Sequence, residues 1–116
     1  MLFPAAAAAQ DGIRLSDRLL DIDELQTLLS GQVVEFFDGS KSRYTAAGRY
    51  GYTYTDDGPI WAGTYTVVGP SEVCVAFDNG SNRCDLMVDD GLRMVLITSD
   101  GLRFPIRNIT VDTTDG

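Results

Sequence analysis

The sequence predicts a mostly β domain in which one short helix near residues 21–30 leads into an up-and-down antiparallel meander of about eight strands. Three observations carry this reading. Glycine-marked turn signals recur about every ten residues from Asp38-Gly39 to Asp100-Gly101. The stretches between them are rich in β-branched and aromatic residues with alternating polarity, as half-buried strands require. A capping-box pattern followed by leucines at helical spacing stands ahead of the first turn. At 116 residues the chain is long enough for one core and too short to divide into two.

Met1 to Gln10 reads MLFPAAAAAQ, an apolar, alanine-rich run ending in small residues before Asp11-Gly12. It has the look of the last part of an export signal, without a basic segment or a full apolar core, so residues 1–12 are expected to form a signal-like or disordered arm. The domain is expected over 13–110. Asp21 and Glu24 stand in capping-box spacing, Ile22, Leu25 and Leu29 share a helical face, and Gly31 stops the helix. That apolar stripe has to be covered, so the helix should pack on the sheet or plug one end of it.

Strands are expected near 32–37, 42–47, 49–55, 60–68, 72–77, 82–88, 92–98 and 102–109, separated by Asp38-Gly39, Ala47-Gly48, Asp57-Gly58, Gly69-Pro70, Asn79-Gly80, Asp90-Gly91 and Asp100-Gly101. Closing the meander into a small, calycin-like barrel removes exposed edges, and that is the favoured architecture; a sandwich or a half-open sheet covered by the helix is the alternative. Trp61, Tyr65 and Val67 share a face, as do Leu92, Met94 and Leu96, and Leu102, Phe104 and Ile106, while Arg103 and Arg107 point the other way. Pro105 cannot donate to a ladder, so the last strand should lie at an edge or carry a bulge. Residues 111–116 are expected to be a disordered tail.

Cys74 and Cys84 flank Asp78-Asn79-Gly80, which suits a three-residue hairpin loop with Gly80 in the left-handed position. Phe77 then pairs with Ser81, Ala76 with Asn82, Val75 with Arg83, and Cys74 with Cys84. The last is a non-hydrogen-bonded pair, whose Cα separation of about 4.5 Å permits a disulfide. Closing that loop stabilises the fold by up to about 2.7 kcal/mol in the chain-entropy view. A disulfide also points to an oxidising compartment, in keeping with the signal-like start.

Nine Lys+Arg against 17 Asp+Glu give a net charge of -8, which repels phosphate backbones and makes nucleic acid an unsuitable partner. No stretch has the roughly 18 apolar residues of a membrane helix. Histidine is absent, which removes the commonest general base and metal ligand. No catalytic constellation, cofactor motif or metal site is identified; the acidic groups Asp21, Asp23 and Glu24, Asp56 and Asp57, and Asp89 and Asp90 fall at a helix start or at turns, where carboxylates cap backbone amides. The most suggestive group is aromatic. Tyr50, Tyr52 and Tyr54 alternate along one strand and project from one face, near Tyr44 and Trp61. Facing a cup they would stack on a small aromatic or apolar ligand, and facing out they would offer a protein-binding surface.

The segments Leu29-Ser30-Gly31, Phe37-Asp38-Gly39, Ala62-Gly63-Thr64-Tyr65, Val73-Cys74-Val75 and Arg83-Cys84 together resemble small exported bacterial, proteobacterial-type proteins of uncharacterised function. The resemblance spans most of residues 21–107 and implies a periplasmic location and a disulfide, with no activity or site. The role expected from the architecture is a non-catalytic periplasmic or secreted module presenting a β surface, centred on the tyrosine row, to a protein partner. The alternatives are a small barrel carrying an apolar or aromatic molecule, and an enzyme using carboxylates and tyrosines. Thiol labelling of unreduced, denatured protein is expected to find no free cysteine; two labelled thiols contradict the bridge.

Overall fold

The structure, a computed structural model, describes residues 12–113. Its elements are strand β1 (Arg18–Leu19), helix α1 (Ile22–Leu29), and strands β2 (Gln32–Phe36), β3 (Lys41–Tyr44), β4 (Arg49–Thr53), β5 (Trp61–Gly69), β6 (Glu72–Phe77), β7 (Asn82–Asp89), β8 (Met94–Ile97) and β9 (Arg103–Val111). The expected signal-like arm, up to residue 11, and the last three residues of the expected tail lie outside the described residues.

Strands β2 to β9 follow one another as antiparallel neighbours, and β9 returns to pair with β2, so the meander closes into an eight-stranded barrel. Pro105 sits in β9 opposite Val95, between β8 and β2 and not at an edge. The expected bulge is there: the β2–β9 register steps from Glu35–Asn108 to Phe36–Ile106, leaving Arg107 as the extra residue. β9 also runs further than expected, to Val111. Asp112, expected in a disordered tail, donates its N–H to the Gly31 carbonyl and sets Oδ2 3.0 Å from Arg43 Nε, a coulombic contact out of line for a hydrogen bond.

Four of the hairpin turns share one design. At Phe36–Ser40, Thr45–Arg49, Phe77–Ser81 and Thr98–Leu102, the first N–H donates to the fifth carbonyl, and the glycine at the fourth position donates back to the first carbonyl. Gly39, Gly48, Gly80 and Gly101 hold φ between 89° and 96°, the left-handed residue that this three-residue loop needs. The β6–β7 turn therefore sets Cys74 opposite Cys84, and the two are bridged with Cα atoms 4.0 Å apart. The Gly69-Pro70 turn differs: its positive φ falls on Ser71, at 57°.

Ser71 is fully buried and stitches three strands. It donates its N–H to the Leu20 carbonyl (2.8 Å), its Oγ accepts from the Leu20 N–H (2.7 Å), and its carbonyl accepts from the Met87 N–H (2.8 Å). This docks β1, an element with no sequence signal, on the stretch of β7 that β6 leaves unpaired. Asp21 then caps α1, with both reciprocal bonds of the capping box to Glu24 formed. The helix drives Leu25 and Leu29 into one end of the barrel, where they join Val34, Tyr44, Val73 and Met87 in one core. Ile22, expected on that stripe, is half exposed because it opens the first turn, and Leu28 takes the place beside the core. Leu92 is likewise exposed, since the β7–β8 turn ends only at Arg93, whereas Met94 and Leu96 point to the core as expected.

Leu86, Val88, Val95 and Ile97 make a second apolar cluster on the outer face of β7 and β8. Gly12 lies against it so closely that a β-carbon would stand 2.8 Å from Ile97 Cγ2 and 2.6 Å from the Gly101 carbonyl oxygen. Arg103 ties this segment down: Nη1 donates to the Gly12 carbonyl (2.7 Å) and to Asp17 Oδ2 (2.6 Å), and Nη2 donates to Asp17 Oδ1 (3.0 Å). The Asp17 side chain is out of contact with water, and the Arg103 hydrogen bonds hold its carboxyl below the usual range. A lowered carboxyl value stabilises the fold fully above the unfolded value of about 3.9 and ceases to do so as pH falls through the folded value. Asp17→Asn is expected to cost about 2 kcal/mol at neutral pH in urea unfolding and to flatten the acid limb of stability against pH; an unchanged acid limb contradicts the role given to the pair.

Candidate functional site

The tyrosine row faces inward. Its strand, β4, sits between β3 and β5 with Tyr50 opposite Tyr44 and Tyr52 opposite Trp61, so all four rings lie on the same side of the sheet. The row descends in burial: Tyr44 and Tyr50 are buried, Tyr52 is half-buried, and Tyr54 and Trp61 stand exposed at the rim. Tyr44 meets Tyr50 and Tyr65 edge to face, with centroids 5.2 and 5.1 Å apart, and Tyr50 meets Phe77 at 5.8 Å. Gly63, opposite Tyr50, lets β5 coil against β6 so tightly that a β-carbon would approach the Ala76 carbonyl oxygen to 2.5 Å.

Buried hydroxyls have partners. Tyr50 Oη and Ser42 Oγ share a hydrogen bond of 2.9 Å, and the Tyr65 hydroxyl donates to the Thr45 carbonyl at 2.9 Å. Burial raises Tyr44 well above the ordinary phenol, Tyr50 to about 12, and Tyr52 and Tyr65 upward.

Beyond this aromatic layer, at the end opposite α1, the described residues do not fill the barrel. A cavity of about 620 Å³ opens there, walled by Tyr50, Tyr52 and Tyr54 on one side and by Leu96, Leu102 and Phe104 on the other. A side lobe of about 210 Å³ shares the three tyrosines and adds Trp61 and Phe77. Leu102 and Phe104, expected as core with Ile106, are partly exposed because they line this opening; only Ile106 is buried. Both spaces share Arg83. Arg83 and Asp85 alternate inward from β7, opposite Val75 and Val73. Arg83 Nε donates to Asp85 Oδ2 (2.8 Å) and Nη2 to Oδ1 (2.9 Å), a two-pronged ion pair whose carboxylate is almost fully buried and which raises the guanidinium still further. Ser40 and Ser42 add hydroxyls to the same wall.

A second depression, of about 280 Å³, lies on the outer face of β2 to β4, where Lys41 and Arg43 are engaged by Asp56 and Asp112. Five of the acidic residues singled out in the sequence have structural duties: Asp21 and Glu24 cap the helix, Asp56 pairs with Lys41, Asp89 accepts the Gly91 N–H, and Asp90 accepts those of Leu92 and Arg93. Glu72 lies beside Cys74 and Cys84, but the bridged sulfurs offer no thiolate to a metal.

Tyr44, Tyr50, Tyr52, Tyr54 and Trp61 are thus brought together, Tyr44 beneath the cup and the other four around it. Arg83 and Asp85 were not singled out in the sequence. The hairpin register that pairs the cysteines also sets Arg83 opposite Val75, and a core-facing Val75 makes Arg83 inward; that signal was present. Comparison with protein-family models, curated proteins and solved structures returned no match for this chain.

The buried tyrosines make alkaline stability a test of the geometry. With Tyr50 at about 12 in the folded chain and about 10 unfolded, stability is complete below pH ~10 and falls by roughly 2 kcal/mol from this ring as pH rises to ~12. Tyr50→Phe is expected to shift the alkaline unfolding midpoint upward; no shift contradicts the burial assigned to that ring.

Proposed function

We propose that this barrel binds a small, flat, apolar or aromatic molecule in the cup at its open end. The observation that carries the reading is the direction of the tyrosine row, which points into the barrel and ends in an unfilled cavity of about 620 Å³. That volume is within the roughly 300–1,000 Å³ of ligand sites, and the wall has their usual make-up, aromatic and aliphatic surface with a few convergent polar groups. A tyrosine surface offered to a protein partner is less well supported, because Tyr44 and Tyr50 are inside and Tyr52 is half-buried, which leaves Tyr54 and Trp61 as the exposed rings of the group. The carboxylates of the cup are engaged, Asp85 by Arg83, Asp38 by Ser40 and Asp100 by the Thr98 hydroxyl, which favours binding over catalysis. The disulfide is consistent with an oxidising compartment, and a periplasmic or secreted carrier is the role that fits it.

The neutral dye N-phenyl-1-naphthylamine, which brightens in apolar surroundings, tests the cup without involving charge. Saturable binding of one dye per chain is expected, weakened about tenfold or more by Tyr54→Ala combined with Phe104→Ala, each losing a stacking wall. Absence of saturable binding, or binding indifferent to both changes, contradicts the proposal.

A further inference from the structure

Resting on the cup proposed above, we infer that Arg83 reads a carboxylate on the bound aromatic ligand, and that Asp85 is the positioning residue that aims it. Two features of the ion pair lead there. The Asp85 side chain is only 9% exposed, and both its oxygens accept from Arg83, so the guanidinium plane is fixed. The prongs used are Nε and Nη2. Nη1 has no hydrogen-bond partner among the described residues, and the Arg83 side chain, 45% exposed, borders both lobes of the cavity.

An ion pair inside a barrel is a poor stabilising device, because apolar side chains of similar volume commonly serve as well or better. Val73 and Val75 occupy the facing positions on β6 and are ordinary core residues, so the level itself does not demand charge. What the pair supplies is a planar donor held at a set angle beside Tyr50 and Tyr52. Its free edge, Nη1 with the outer N–H of Nη2, matches the two oxygens of a carboxylate, the geometry in which arginine binds most strongly. The remaining carboxylates of the cup are engaged in their own turns: Asp38 accepts from the Ser40 N–H and hydroxyl, and Asp100 accepts from the Thr98 hydroxyl. Arg83 is the cation of the cup. The ligand that fits is a flat aromatic body lying along the tyrosines with a carboxylate at the β7 side.

Three probes with one body separate this inference from the cup itself: 2-naphthoate, 2-naphthalenemethanol and 2-naphthylmethylammonium, titrated calorimetrically at neutral pH and about 0.15 M salt. Naphthoate is expected to bind about tenfold or more tighter than the alcohol, and the ammonium most weakly. The double change Arg83→Met with Asp85→Leu removes both charges together and leaves none buried alone; on that variant naphthoate and alcohol should bind within about twofold of each other, so that the preference is gone whatever the change does to the affinity for the naphthalene body. Arg83→Lys, which keeps the charge and loses the fork, should keep only part of the preference, and Asp85→Asn should lower the ratio of naphthoate to alcohol affinity measured on the same variant. Equal binding of naphthoate and alcohol, a stronger ammonium, or a preference that survives the double change overturns the carboxylate reading and leaves the cup standing. A preference untouched by Asp85→Asn removes the positioning role. If none of the three probes binds, the cup falls and this inference with it.

Discussion

The short ladder between β7 and β8 determines the shape of the whole molecule. It makes four pairs, from Asp89–Met94 to Leu86–Ile97, and there it stops. The next pairs in register would set Asp85 opposite Thr98 and Cys84 opposite Ser99, but β8 has already entered its turn: the Thr98 N–H donates to the Leu102 carbonyl and the Gly101 N–H to the Thr98 carbonyl. β7 is eight residues long and β8 only four, so among the described residues half of β7 has no strand neighbour on that side. The barrel is sealed at the helix end and open as a slot at the other, and the cup, its exposed leucine and phenylalanine, and the position of Arg83 all follow from that mismatch. Ser71 and β1 secure the opposite edge of the half of β7 that β8 pairs, at Met87 to Asp89, and the Asp17–Arg103 pair fastens the segment that leads into β1.

The filling of the interior follows from the same geometry. An eight-stranded barrel is about wide enough for side chains to fill its middle. Here α1 supplies Leu25 and Leu29 to one end, and Tyr44, Tyr50 and Tyr65 pack edge to face across the centre. Beyond Tyr50 the described residues supply no second plug. The rings that continue the row, Tyr52 and Tyr54, still touch each other at 5.1 Å, but their far sides meet the cavity. Tyrosine suits such a boundary, since its ring packs against the core while its hydroxyl reaches water or a ligand.

Much of this fold was legible because local chemistry and register agree. Asp21 and Glu24 announced the helix start, the Asn-Gly and Asp-Gly turns announced the hairpins, and the Asn79-Gly80 loop counted Cys74 onto Cys84. Proline at position 105 announced the bulge at Arg107, though not the place of its strand between two neighbours. Closure is set by long-range pairing of β9 with β2, for which one strand's sequence carries no partner signal. β1 escaped notice because two paired residues make no periodic pattern, and it is held by Ser71, which is distant in sequence. For the candidate site, a period of two puts Tyr50, Tyr52 and Tyr54 on one face without saying which face is inside. Only the packing of β4 between Tyr44 and Gly63 decides it.

The most direct test of the seam is residue-resolved amide hydrogen exchange along β7. Alternation from the Phe77–Ser81 turn directs the amides of Arg83 and Asp85 toward β6 and those of Cys84, Leu86 and Val88 toward β8. If the ladder ends at Leu86–Ile97, Arg83, Asp85, Leu86 and Val88 will be protected while Cys84, between two protected neighbours, exchanges freely. A Cys84 amide as protected as that of Val88 would mean that the ladder continues, that the slot is closed, and that the cup does not exist in solution.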